Sequence, residues 1–534
     1  MSALHILFAV ALSAAQGPQP LQHPHESGRP PEQLGQVTFE TSCAPNLAAD
    51  LNRSVALLHS FWFNAAAASF TAVADKDPGC GIAWWGVAMS RWGNPFAPSR
   101  PVAALEAGRA AIEKARAAGA RTERERLYIE AAAALFTDFE KVDHRARIQN
   151  YERAMETLYR AHQADRETAT FYALAVNQTA LPSDKTYGQQ LKAAAILQPI
   201  FETVPDHPGA AHYLIHAFDH PALAERALPA ARRYAQIAPD APHALHMPSH
   251  TFTRVGYWED SIATNLASAT AARKANSAAE TLHALDYQVY AYLQTAQDQA
   301  AKRVLGELQS IMAEVNTAEQ YGLVGYYAAA AIPARVALER AAWSEAASLK
   351  PVKTPFAFID AMTSFARAVG ATRSGQPAAA AADVTRLAEL HSTLLGAKDD
   401  YWALQVDIQH RIARAWVTFA EGRRDEALAL LQETAAMEDG TDKSAVSPGP
   451  LAPAREMLGD MLLETKRPAD ALKELEAVMK KEPNRFRTLY LAAKAAAALG
   501  DSTRSRSYSR QLVEMCPKGD THRPELAEMK KLGQ

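Results

Sequence analysis

The sequence predicts an all-α chain built as a solenoid of antiparallel helix pairs, and three observations carry that expectation. Segments such as "ADALKELEAVMKKEP" and "DEALALLQETAAM" place apolar residues at i, i+3, i+4 and i+7, the spacing of one helix face. No stretch alternates apolar and polar residues convincingly in the manner of a strand. The chain also repeats itself: at an offset of 34, "VPDHPGAAHYLIHAF" (204–218) and "APDAPHALHMPSHTF" (238–252) agree at seven of fifteen positions.

Taken in order, the chain opens with "MSALHILFAVALSAAQGPQP", an apolar run from Leu4 to Ala15 that ends in small residues. Ser13 and Ala15 stand where cleavage before Gln16 requires them, so residues 1–15 read as a secretory signal peptide. The n-region lacks Lys and Arg, and an apolar terminus that merely frays is the alternative. Residues 16–46 form a Pro- and Gln-rich leader, expected to be partly disordered. Helical repeats then fill 47–310, middle helices 311–404 and a last set of repeats 405–534. Pro, Gly and Ser predict loops or insertions at 94–125, 181–190, 345–356 and 437–452. The last of these is long for a turn between helices and is marked as a possible functional loop.

Formal net charge is −3, with both signs spread along the chain, so neither a nucleic-acid footprint nor a polybasic membrane patch is present. No run after the first approaches the ~20 apolar residues that span a bilayer. The expectation is a mature protein without an integral membrane segment, exported to the periplasm or secreted, with no nucleic-acid partner. Cysteines number three, Cys43, Cys80 and Cys516, without a CxxC. Export permits one bridge, and Cys43 with Cys80 is the expected pair because the N-terminal segment can fold back on the first helical hairpin. Three buried thiols are the alternative. Nothing points to a thiolate metal site or a cysteine nucleophile.

The recurrence extends beyond the first pair of segments. "GYWEDSI" at 256–262 and "GRRDEAL" at 422–428 read as a turn followed by a second-helix start, and Ala471 and Ser505 stand 34 apart with Pro483 between them. In these features the chain resembles tetratricopeptide-repeat proteins over roughly residues 47–517. It is similar in more detail to a group of exported bacterial repeat proteins through "ALLHSFWF", "DPGCGIAWWGVAMSRWGNPF", "HYLIHAFDHP", "HMPSHTFTRVGYWEDSIATN", "HALDYQVYAYLQ" and "SPGPLAPAREMLGDMLLE". The resemblance implies a right-handed superhelix whose first helices line a concave groove, with repeat positions 2, 5, 9, 12 and 13 facing it. Such a fold hosts many roles, so function has to be read from side chains.

Eight of the seventeen histidines lie between residues 207 and 283. Even scattering would put two or three there, so the cluster is not an effect of composition. In the repeat register, His212 and His246 fall at position 5, His216 and His250 at position 9, and His243 at position 2. The following repeat places His283 at position 2, Asp286 at 5 and Tyr290 at 9. An i, i+4 pair shares one helix face, and helices of adjacent repeats pack about 8–10 Å apart. His212, His216, His246 and His250 are therefore expected to meet as four imidazoles around one transition-metal ion.

Histidine without cysteine favours zinc, copper, nickel or iron, and the sequence does not choose among them. His243, His283, Asp286, Asp219 and His220 are placed to complete the ligand set or to fix the ligand tautomers. The rival expectation is a metal-free groove that hydrogen-bonds a peptide, a protein or a small molecule. The plainest is that the histidines satisfy buried helix ends.

Pro248, inside "HALHMPSH", either bends a helix to aim His246 and His250 or starts a new helix after Met247 in a loop. Zinc proteases carry Glu after the first histidine of the pair, whereas Tyr213 and Met247 stand there. No GxSxG, GxxxxGK[ST] or GxGxxG occurs. Were the site catalytic, a metal-bound water or dioxygen would react, with Asp286, Asp219, Tyr213 or Tyr290 assisting. The aromatics of "HSFWF" (59–63) and "WWG" (84–86) read as core, and His59 is not counted as a ligand.

Overall fold

A computed structural model describes residues 32–97, 100–315 and 318–533. The predicted signal peptide at 1–15, and the leader as far as residue 31, lie outside the described residues. Residues from Gln33 onward form one compact unit. Among the described residues every regular element is helical and none is a strand, as the periodicity predicts.

The helices alternate in character because they occupy two layers. The first helix of a pair is enclosed by its own partner and by both neighbouring repeats. Arg166–Gln178 is buried from Glu167 onward, Pro208–Ala217 throughout, and Ala278–Gln294 from Thr281 to its end. Second helices such as Leu228–Ile237 and Asp298–Glu314 bury a single apolar face and expose the rest. A polar side chain on a first helix therefore has no water to turn to, and must find a partner inside the protein.

Most pairs close through the same turn. Phe61, Gly256, Ala296, Lys466 and Gly500 take left-handed backbone angles. The N–H of the next residue bonds back five positions, Trp62 to Leu57 O, Tyr257 to Phe252 O, Gln297 to Tyr292 O. This is the Schellman closure of a helix C-terminus. Phe61 adopts it without being glycine, at a cost of about 1–2 kcal/mol, offset by burial of its ring, which is only 6% exposed.

One expectation is revised and a second is filled in. The region 94–125 is not a loop, since Val102–Ala118 is a helix there, burying Leu105, Ala111, Ile112 and Ala115. Its buried face sets only Leu105 and Ile112 among the small residues Gly108, Ala111 and Ala115, and reads as weak in the sequence. The part of the leader that is described, 33–46, is packed: Phe39 and Cys43 are buried, and Ser42 donates to Glu125 from both its N–H and its hydroxyl. Cys43 and Cys80 are joined in a disulfide, the expected pairing, and Cys516 is a buried free thiol.

Of the 437–452 region, residues up to Asp439 end the helix Arg424–Asp439 and the rest belongs to a loop, 440–453, that folds inward. Thr441, Asp442, Val446, Ser447, Leu451 and Ala452 are buried. It packs against two first helices, where Arg335 donates to Ser447 Oγ and Gly449 O, and Tyr287 O–H reaches Ala445 O and Ser447 O. The C-terminal repeats also return to the middle of the chain. Trp258 Nε1–H donates to Asn484 O at 2.8 Å, and Phe486 N–H to Gln294 Oε1 at 2.9 Å.

Candidate metal centre

Six imidazoles form one buried cluster, divided into two triads. One ring nitrogen each from His212, His216 and His243 lie within 4.8 Å of one another, and the same holds for His246, His250 and His283. The four-histidine site expected from the pairs is thus corrected. Each i, i+4 pair converges with the position-2 histidine of the next repeat. The reason is the stagger of successive repeats, which sets position 2 of one against positions 5 and 9 of the one before. The triads abut, with ring centroids 6.0 Å apart for both His216–His250 and His243–His246.

Hydrogen bonds fix which nitrogens remain free. His246 Nδ1 lies 2.7 Å from Asn265 Oδ1, and the Asn265 amide nitrogen donates to Ser261 O at 2.7 Å, so the amide cannot be turned round and Nδ1 must carry the proton. His250 Nδ1–H donates to the Asp219 carboxylate at 2.9 Å. Both rings therefore present bare Nε2 lone pairs, and these two atoms face each other at 3.1 Å. In the first triad His212 Nδ1–H donates to His59 O at 2.6 Å. Nε2 of His212, His216 and His243 is in each case buried with no hydrogen-bond partner.

Protons do not readily fill this gap. Burial, reinforced by the neighbouring imidazoles, pushes His212, His216 and His246 well below the usual histidine range. Burial takes His250 to about 4, against the Asp219 hydrogen bond, and His283 to about 3, against Glu280. Opposed lone pairs in a dry site repel unless a cation lies between them. Nitrogens held at ~2.0–2.1 Å around a tetrahedral or trigonal ion stand roughly 3.3–3.5 Å apart, and His246 and His250 are within a few tenths of that.

The other predicted residues have different places. Asp219 stands behind His250. Burial opposes its charge, but Lys443 and Arg254 hold the carboxyl well below the usual range. Arg254 Nε–H donates to it at 2.8 Å and Lys443 lies 3.4 Å away. His220 belongs to neither triad: its ring pairs with Asp442 at 2.8 Å. Asp286 is also diverted, salt-bridged at 2.8 Å to Arg335 with both side chains buried. Tyr290 accepts from Arg485 at 2.7 Å and donates to Glu482 at 3.3 Å, so its hydroxyl is held in that polar group and not at the imidazoles. Position 5 of the third repeat, where the sequence carries Asp instead of His, no longer belongs to the cluster.

Pro248 serves both readings in part. It is the first residue of the helix Pro248–Val255, after the short helix Pro242–His246, while Met247 keeps helical angles of φ −53°, ψ −36°. The helix axis is interrupted without a loop, and His246 and His250 remain one turn apart.

Several residues of the site escape the sequence reading. Asn265 sits on a second helix, outside the groove positions. Tyr287, four residues after His283, packs its ring edge-on against His246 at 4.6 Å and places its hydroxyl 3.4 Å from His250 Nε2. Phe61 and Phe96 wall the first triad, their rings 4.3 Å from His212 and His216 respectively. His59, set aside in the sequence, turns inward. Its Nε2 bonds Glu167 at 2.8 Å, His207 Nε2 bonds the same carboxylate at 3.2 Å, and Tyr213 O–H reaches His59 Nδ1 at 2.9 Å. With His207 Nδ1 accepting from Ala210 N–H, every nitrogen of this third group is engaged. It is a satisfied hydrogen-bond network, and its backbone carbonyl orients His212.

No protein-family profile and no curated protein matches the chain. Among solved structures it is similar to the tetratricopeptide-repeat domain of P58(IPK), at 12% identity over 91% of this chain and 98% of that one, with a TM-score of 0.21. It is also similar to a monomeric mutant of IFIT1 with a capped RNA, at 10% identity over 90% and 99% of the chains, TM-score 0.31. A third is Naa15/Naa10 bound to HypK, at 10% identity over 91% and 73%, TM-score 0.23. The fold assignment rests on the helix pairs of the chain itself, and these likenesses bring no site or ligand with them.

Proposed function

We propose that this helical-repeat protein binds a transition metal through the buried imidazole cluster of its concave groove. The observation that carries the reading is the pair of opposed, unprotonated Nε2 atoms of His246 and His250, whose tautomers Asn265 and Asp219 fix. A satisfied core histidine has no need of that arrangement, and the His59–His207–Glu167 group shows how the same fold saturates imidazoles when no ion is required. His216, His243 and His283 keep 6–8% exposure and supply a route of entry. The inward 440–453 loop packs against the neighbouring first helices, which weighs against a peptide bound along them. We further read the protein as exported, supported by the signal-peptide pattern of residues 1–15 and by the Cys43–Cys80 bridge. Fractionation of expressing cells tests that point.

The central test is the metal content of the chain purified without a histidine tag, by mass spectrometry, beside a variant with His212, His216, His246 and His250 changed to Ala. Near-stoichiometric metal in the parent and none in the folded variant is the expected result. A parent that stays metal-free after reconstitution with zinc, copper and iron would overturn the reading.

A further inference from the structure

Resting on that reading, we infer that the cluster is a two-ion centre for monovalent copper, with one cuprous ion in each triad. The first ground is stoichiometric. The two triads share no residue, and each is assembled by the same rule, from positions 5 and 9 of one repeat with position 2 of the next. The site is a duplicated unit, and duplicated units take one ion each.

The second ground is charge. All six donors are imidazoles, a ligand type that brings no negative charge to the ion it holds. Asp219 is matched by Arg254 and Lys443, and Asp286 by Arg335. Among the described residues, the one carboxylate beside the ligands that no cation matches is Glu280, whose Oε2 lies 3.7 Å from His243 Nδ1, buried and without a hydrogen-bond partner, and it offsets at most one positive charge. The energy of placing an ion in a low-dielectric interior grows as the square of its charge. Two dications with no anionic ligand are strongly disfavoured here, and two monocations carry a quarter of the penalty per ion.

The third ground is coordination number. Each triad offers three nitrogens. Phe61 and Phe96 close the first, while Tyr287 closes the second with its hydroxyl already directed to Ala445 O and Ser447 O. Zinc at three protein ligands requires a fourth, usually water. A closed-shell cuprous ion is content with three, and imidazole is among the ligands that copper accepts.

The test is an anaerobic titration of the apo-protein with Cu(I) against a coloured cuprous chelator. The parent is expected to take two equivalents. His212→Ala/His216→Ala and His246→Ala/His250→Ala should each take one, with circular dichroism reporting the fold. Should either double variant fail to fold, His243→Gln and His283→Gln, at the slightly exposed edge of the cluster, replace them and should each lower the count to one. A single equivalent in the parent, or loss of both ions when one triad is altered, overturns the two-ion assignment. Zinc retained in preference to Cu(I) overturns the copper assignment, and in both cases the metal-binding reading stands. Only failure to bind any metal removes that reading itself.

Discussion

Gly209 is packed against the ring of His59 so closely that a Cβ there would lie 2.6 Å from His59 Nδ1. The missing side chain lets the helix Pro208–Ala217 approach the end of Ala48–His59, and that approach brings His212 Nδ1 to His59 O. Gly209→Ala should force the two helices apart, destabilising the protein by about 1–3 kcal/mol. It should also weaken metal binding at the first triad by freeing the His212 ring. Urea unfolding combined with a metal-competition titration checks both, and unchanged values in each would show that the contact is slack.

Asn265 acts on the metal only through His246, by holding its proton on Nδ1. Asn265→Leu keeps the branched outline, at some added bulk, and removes the acceptor. Partners of this kind are worth roughly 10–100-fold in metal affinity, so a loss of that size at the second triad is expected, with little change at the first. An equal loss in both triads would point instead to a general disturbance of the fold.

Acid should destabilise the protein through Glu167. Burial disfavours its charge, yet the adjacent His59 and His207 bring its carboxyl down to about 2 from an ordinary value of 4.5. A depressed carboxyl pKa gives stability that is complete above 4.5 and is lost as pH falls from 4.5 through 2, on the order of 3 kcal/mol. Urea midpoints between pH 5 and pH 2.5 should therefore fall more steeply for the parent than for Glu167→Gln.

The Cys43–Cys80 bridge closes a segment with a sequence separation of 37. On the chain-entropy account a loop of that length contributes roughly 3–4 kcal/mol. Reduction should lower the melting temperature, and hydrogen exchange should rise first in residues 33–46, where Phe39 and Ser42 pack against the first repeats.

The repeat architecture was legible because its signals are local and periodic. The 34-residue offset and the helical spacing survive at low hydropathy, although the small-residue face of Val102–Ala118 escaped them. The six imidazoles were legible as a set because they occupy groove positions. Their partition was not, since it depends on the stagger between repeats, which one sequence does not encode in its spacing. Asn265 and Tyr287 close the quoted stretch "HMPSHTFTRVGYWEDSIATN" and lie inside "HALDYQVYAYLQ", so the signal was present. What hid them was the assumption that ligand support comes from groove positions alone. Asp286 and Tyr290 misled for the complementary reason: they share the register of the histidines, yet Arg335 reaches Asp286 from the next repeat and Arg485 reaches Tyr290 from a distant one.

Linear repeat arrays ordinarily unfold piecemeal, because each unit touches only its neighbours. Trp258 with Asn484, and Arg523 with Asp298, join segments 226 and 225 residues apart. Those ties close the chain between residues 258 and 523 into a ring, in which no unit can melt without breaking a contact elsewhere. Truncation before residue 484 is then expected to destabilise the repeats from residue 258 onward, His283 among them, where a simple row would lose only its last units.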